Sequence, residues 1–207
     1  MPDIKNIFPT KIIVRDNVLE QEDLFALKVA TQAIFTDHVA QTGSHVVSGE
    51  DSMPLFTPEN MKIFPVLKRI RSAFFKGFFD LASEFDNNEM SASDISMFMD
   101  NHAGRLPIMK EFDYKGIHAH PGASAFGVFY LTDVNNDRDG GKLVLRDPSW
   151  HTNLGFGVKQ KYPISTVSNR LIIAPAQVWH EVTPYSGKQD RLTIVSNLVT
   201  VSEELMK

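Results

Sequence analysis

From about residue 92 to 201 the chain consists of short β-type runs with no helical pattern between them: ISMFM, RLPIMKEF, GIHAH, AFGVFYLT, KLVLRD, NRLIIAP, VWHEVTPY and RLTIVSNLVTV. Each is rich in β-branched, aliphatic or aromatic residues and is bounded by turn formers. Seven or eight strands at this spacing, with no helix intervening, predict a sandwich or barrel. Between them, NNDRDGG at 135–141 reads as a hairpin loop whose glycines supply positive φ. The stretch DPSWHTNLGFGVKQKYP, 147–163, reads as a long loop, a length that suits a binding element or a lid.

Ahead of the strands the pattern is helical, after a short extended start, IFPTKIIV. Leu24, Leu27, Ala30 and Ile34 recur at three- and four-residue steps, predicting a helix from residue 18 with Asn17 or Asp16 as its cap. A second helical stretch opens with Thr57 as cap and Pro58 at the first helical position, and Pro65 should kink or divide it. Phe74, Phe75, Phe78, Phe79 and Phe85 then fall at helical spacing. Aromatics so placed are core, and a sheet face is the apolar partner available to them. The expectation is a single domain over 1–207, with a helical support region of about 18–86 packed on one sheet of a barrel of about 92–201.

Charge and cysteine count narrow the chemistry. A formal charge of -4 gives no basic excess for phosphates, so nucleic acid is not an expected partner. The basic stretch LKRIRSAFFK reads as the solvated face of a helix. With no cysteine, disulfides, thiolate-held metals and a thiol nucleophile are excluded, and any metal must be held by His, Asp or Glu. No stretch has the length and apolarity of a signal peptide or a membrane span, so the expected location is the cytoplasm, with no membrane partner.

Against that background the segment GIHAHPGASAFGVFYL stands out. On an extended chain His118 and His120 share a face with Cα atoms about 6 to 7 Å apart, so both imidazoles could reach one metal ion. The alternative is a strand with one packed and one solvated histidine. About sixty residues on, RLIIAPAQVWHEV supplies His180, and a neighbouring strand of the same barrel would bring it to the pair. Arg191 follows eleven positions later. A guanidinium facing into a barrel offers a planar fork to a carboxylate, and Thr193 points to the same side. Taken alone, Arg191 could instead form a surface ion pair with Asp190 or Glu181.

The ordered set of His118-x-His120-Pro121, FGVFYL, DGGKLVLRDP, RLIIAPAQVWHEVTPYSGKQDR and SNL resembles the iron(II)- and 2-oxoglutarate-dependent oxygenases, in particular a branch of bacterial and phage members with a His-x-His-Pro motif. The likeness covers about 110–200 and extends to NIFPTKII. It implies a mainly β fold, a double-stranded β-helix of the jelly-roll or cupin-like kind with N-terminal helices. It also implies Fe(II) held by His118 and His180, 2-oxoglutarate as co-substrate with its far carboxylate on Arg191, and O2 as oxidant. Thr193 and Tyr130 become contacts of the co-substrate. The implied reaction is hydroxylation of a C–H bond of an unidentified small molecule or protein residue, prolyl residues among them, with release of succinate and CO2.

His120 departs from the family, which has Asp or Glu at this position. Either three imidazoles hold the metal, or another carboxylate enters, with Asp113 and Asp133 the nearest candidates. Trp179 and Phe129 are expected as core residues beside the ligands, His151 lies in the long loop, and His38, His45 and His102 read as structural or surface residues. A cupin-type three-histidine dioxygenase or isomerase is the competing enzyme reading, although HAHPGASAFG lacks the glutamate that cupins carry and Arg191 then has no role. A barrel that binds an acidic molecule without turnover is the third. The oligomeric state is open, a homodimer included.

Overall fold

The structure is a computed structural model and describes residues 10–42, 53–85, 96–98, 106–147 and 161–201. The elements run β1 (Ile13–Arg15), α1 (Gln21–Thr42), α2 (Pro58–Ile63), α3 (Val66–Phe85), β2 (Ser96–Phe98), β3 (Ile108–Met109), β4 (Lys115–His118), β5 (Ala125–Tyr130), α4 (Asn136–Asp139), β6 (Leu143–Arg146), β7 (Lys161–Ile164), β8 (Leu171–Pro175), β9 (His180–Val182) and β10 (Arg191–Val201).

Helix α1 buries Leu24, Leu27, Ala30 and Ile34, as their spacing predicts, but it starts later than the expected cap. Asn17 stands at φ 54°, outside the conformation of a helix cap. The Asp16 carboxylate instead accepts from Arg170 at 2.5 and 2.8 Å, and the Asn169 side chain bonds both Leu19 N–H and Leu19 C=O. Residues 16–19 are thus tied to the turn before β8. The first helical turn closes from Leu24 N–H to Glu20 C=O.

Thr57 caps α2 by accepting from Asn60 N–H at 3.1 Å, with Pro58 in the first turn, and Pro65 separates α2 from α3. Phe74 and Phe78 of α3 are buried against the sheet, while Phe79 is 37% exposed and is not core. Gly127 of β5 permits this close approach: a Cβ there would lie 2.7 Å from both Phe74 and Ile173 side-chain atoms.

Among the described residues the strands form two antiparallel sheets. The larger runs β1-β8-β5-β10-β2 with β3 also on β10, and the smaller runs β4-β9-β6-β7. From β4 onward the chain alternates between them, β4 in the smaller, β5 in the larger, β6 and β7 in the smaller, β8 in the larger, β9 in the smaller and β10 in the larger. That alternation is the double-stranded β-helix expected from the sequence.

Strand alternation assigns the two faces of the larger sheet. Phe129, Leu171, Ile173, Ile194 and Leu198 join the helices in one core. Phe126, Val128, Tyr130, Ile172 and Ala174 face the other way and meet Leu143, Leu145 and Ile164 of the smaller sheet. The interior between the sheets is therefore lined by the second set.

Two expectations change at the connections. Residues 136–139 of the expected hairpin loop form a short helix, capped by the Asn135 side chain, with Gly140 and Gly141 behind it at φ 71° and 69°. The expected loop at 147–163 contains the start of a strand, because β7 begins at Lys161 and pairs with β6. Residues 148–160, with His151, lie outside the described residues, as do His45 and His102; His38 is on α1. No helix of the described residues is long and apolar enough to cross a membrane.

Candidate active site

His180 is the first residue of β9, an inner strand of the smaller sheet, and is 4% exposed. His118, the last residue of β4, lies opposite it, with a register shift between Lys115 and His118. On its other side His180 faces Leu145 of β6, an interior residue. His118 and His180 therefore project into the space between the sheets.

His120 reaches the same place by a different route from the one its spacing suggests. Strand β4 ends at His118, and His120 sits in the following turn, where its N–H donates to Ala176 C=O at 3.0 Å. The turn, rather than strand alternation, brings the third ring in. Ring centroids are 4.3 Å apart for His118–His180, 5.0 Å for His120–His180 and 5.3 Å for His118–His120.

The three ligand nitrogens all lie within 4.8 Å of one another. His120 Nε2 and His180 Nε2 are 3.2 Å apart. Two nitrogens bound at right angles to one ion, each at about 2.0 to 2.1 Å, stand about 3 Å apart, so this spacing suits a shared metal. His118 Nδ1 is 2.8 Å from Gly116 C=O and His180 Nδ1 is 2.8 Å from Val178 C=O. A ring that donates from Nδ1 presents its Nε2 lone pair, the form a metal requires.

Burial reinforces that form by holding His180 to a pKa of about 3 and His120 to about 4, both below the usual histidine value, with neighbouring rings lowering them further. The donor set thus fits a borderline metal such as Fe(II). Neither proposed carboxylate enters it. Asp113 accepts from Lys110 N–H and Asp133 from Ser168 N–H, both at 2.7 Å.

The second half of the site is on the larger sheet. Arg191 and Thr193 of β10 share a face, and Thr193 is paired with Tyr130 of β5, whose side chain belongs to the interior core. Arg191 is 3% exposed, and its Nη1 donates to Met109 Sδ at 3.2 Å. Its Cζ lies 5.3 Å from the Tyr130 ring centroid. Gly141 leaves it room: a Cβ there would stand 3.2 Å from Arg191 Cδ.

Among the described residues Arg191 has no carboxylate partner. Glu181, considered from sequence, pairs with Arg146 at 2.6 Å. Arg191 Nε is buried without a hydrogen-bond partner, and the buried Tyr130 hydroxyl interacts with the guanidinium. Burial pulls the guanidinium pKa down and pushes the Tyr130 phenol up. A buried cation beside the Tyr130 hydroxyl could hold an anionic group.

Phe126 and Met109 were not among the residues singled out from sequence. Phe126 stacks on His180 at 4.1 Å and on His120 at 5.1 Å, on the same face of β5 as Tyr130, so it links the two halves of the site. The alternation Phe126, Val128, Tyr130 was the signal for it. Met109 had none, since its place depends on β3 pairing with β10. Of the two aromatics expected as core residues beside the ligands, Phe129 is core but faces the helices, and Trp179 is 47% exposed.

No protein-family model and no curated protein sequence matches the chain. Solved structures do. A prolyl hydroxylase from Trichoplax adhaerens, in complex with a hypoxia inducible factor peptide fragment, superposes with a TM-score of 0.62 at 15% identity, covering 93% of this chain and 84% of that one. A 2OG-Fe(II) oxygenase family oxidoreductase from Burkholderia pseudomallei gives 0.57 at 12% identity, covering 91% and 84%. The chain has the fold of the iron(II)- and 2-oxoglutarate-dependent oxygenases. HygX from Streptomyces hygroscopicus, with nickel and 2-oxoglutarate bound, shares this oxygenase fold with a TM-score of 0.57 at 10% identity, covering 92% and 82%.

Proposed function

We propose that the chain is a single oxygenase domain that uses iron(II) and 2-oxoglutarate to hydroxylate a C–H bond of a small molecule or a protein residue. The observation that carries this reading is Arg191: a permanently charged group, buried, lacking a carboxylate partner among the described residues, and opening on the same interior as three converging imidazoles. A two-ended acid is the ligand that would use both features. Ferrous iron with 2-oxoglutarate and O2 would supply the two-electron oxidation, the co-substrate leaving as succinate and CO2.

The residues divide the remaining work. His118, His120 and His180 present neutral nitrogen donors, two of them fixed by backbone carbonyls. Arg191 offers its fork to the distal carboxylate, the Tyr130 hydroxyl lies beside that fork, and Thr193 shares its face. Phe126 covers the faces of His120 and His180 and keeps water from that side of the rings. The nickel and 2-oxoglutarate bound by HygX support the co-substrate, and the peptide bound to the Trichoplax enzyme supports a protein-residue substrate as one option.

A second reading is favoured by the donor set itself. Three histidines without a carboxylate also suit a cupin-type metal dioxygenase or isomerase, but that reading leaves Arg191 buried without a role. Anaerobic addition of 2-oxoglutarate to the iron-loaded protein separates the two. The oxygenase reading expects a saturable metal-to-ligand charge-transfer band; a protein that binds iron but develops no such band supports the cupin reading.

A further inference from the structure

Among the described residues the smaller sheet ends in two edge strands, β7 and β4. An open edge is a row of backbone N–H and C=O groups that another chain can pair with. β7 carries Pro163, which has no N–H to offer a further strand. β4 carries no proline, and it stops at His118, a proposed metal ligand. Lys115 and Gly116 are exposed and Ile117 is half-exposed, while Phe112 and Tyr114 just before the strand are 77% and 69% exposed.

Two local features here destabilise the chain and gain nothing from its own packing. Gly116 weakens the strand, yet a Cβ there would meet nothing within 4 Å. The bulge that demands glycine needs a positive φ, which Gly116 lacks, and a glycine within a strand otherwise marks the close approach of another backbone. Phe112 stands at φ 73°, a strained value for an aromatic residue, and its N–H donates to Tyr185 C=O at 2.6 Å. That conformation leaves its ring in solvent at the head of β4.

We propose that the edge of β4 receives an extended polypeptide segment as an added strand, with the residue to be oxidised opposite His118. An edge recognises N–H and C=O groups repeating at about 3.3 Å, which a small molecule lacks. A residue paired with His118 from the open side shares its face, so its side chain projects inward with its Cβ about 4.5 to 5.5 Å from that of His118. Lys115 and the register shift beside it blunt the edge and limit pairing to a short stretch. The docking stands on β4 alone. Its part in turnover rests on the oxygenase reading, in which one oxygen atom of O2 enters the C–H bond and the other leaves in succinate.

The probe is an array of short blocked peptides of randomised sequence, presented to the iron-loaded protein without oxygen. The strongest binders are then resynthesised with alternate backbone nitrogens methylated. Methylation of one alternate set should weaken binding by about 10-fold or more, the value of two backbone hydrogen bonds, while methylation of the other set is tolerated. Ile117→Asp should also weaken binding, with iron content and denaturation midpoint unchanged. With 2-oxoglutarate and O2 supplied, the bound peptide should gain the mass of one oxygen atom.

Absence of any bound peptide overturns the proposal, as does binding that neither methylated set nor Ile117→Asp weakens. A dimer in solution that Ile117→Asp dissociates would give the edge to a second copy of the chain and overturns it too. Methylation-sensitive peptide binding by a protein that forms no iron-dependent succinate would sink the oxygenase reading alone.

Discussion

His118 and His180 are paired across β4 and β9, and each has Nδ1 2.8 Å from the carbonyl oxygen two residues before it, Gly116 for one and Val178 for the other. The same local device thus fixes both rings with Nε2 turned inward. In the proposed metal site these two would be the prearranged ligands, with His120 closing the set from the neighbouring turn.

Removal of either prearranged ligand should therefore cost the metal. His118→Ala and His180→Ala are expected to lose bound iron, while His120→Asp retains it by substituting a carboxylate donor. Metal content per chain by mass spectrometry of purified, folded variants checks this. Full occupancy in His180→Ala would contradict it.

Arg191→Ala should leave iron content unchanged and weaken 2-oxoglutarate by about 10- to 100-fold, the value of a charge-assisted pair of roughly 1.5 to 3 kcal/mol. Arg191→Lys should recover only part, because an ammonium lacks the planar fork. Anaerobic titration of the charge-transfer band gives both affinities.

The metal-free protein should lose stability as pH falls. His180 has a folded pKa of about 3 against an unfolded value of about 6.5, so the unfolded chain binds the proton first. Its stabilising contribution is complete above pH 6.5 and declines through the window down to about pH 3. Denaturation midpoints of chelator-treated protein at pH 7.5, 6 and 5 should fall in that order, and His180→Gln should fall less steeply. Parallel slopes would remove His180 from the account.

Packing of α3 on the larger sheet should be essential to the barrel. Phe74 is fully buried between the helices and the sheet, so Phe74→Ala is expected to cost about 3 to 5 kcal/mol in chemical denaturation. Thr57→Ala, which removes only the α2 cap, should cost about 1 kcal/mol.

The barrel was legible because its strands alternate: Phe126, Val128 and Tyr130 face inward, while Gly127 and Phe129 face the helices. Alternation shows which residues share a face, but not which layer that face meets, so by itself it does not decide whether Phe126 or Phe129 meets the histidines. Strand β7 was hidden because Pro163 argues against a central strand, and it is tolerated here at the sheet edge. The gathering of His118, His120 and His180 was legible as residue types at intervals. The turn that delivers His120, and the pairing that sets Met109 on Arg191, depend on contacts distant in sequence and left no local signal.

The most direct measurement is succinate formation by the purified protein supplied with iron(II), ascorbate, O2 and 2-oxoglutarate, compared with the same protein without iron and with His180→Ala. The account predicts iron-dependent succinate above both controls, even as slow uncoupled turnover without the primary substrate. Succinate no higher than in the controls, from protein shown to hold both iron and 2-oxoglutarate, would contradict it.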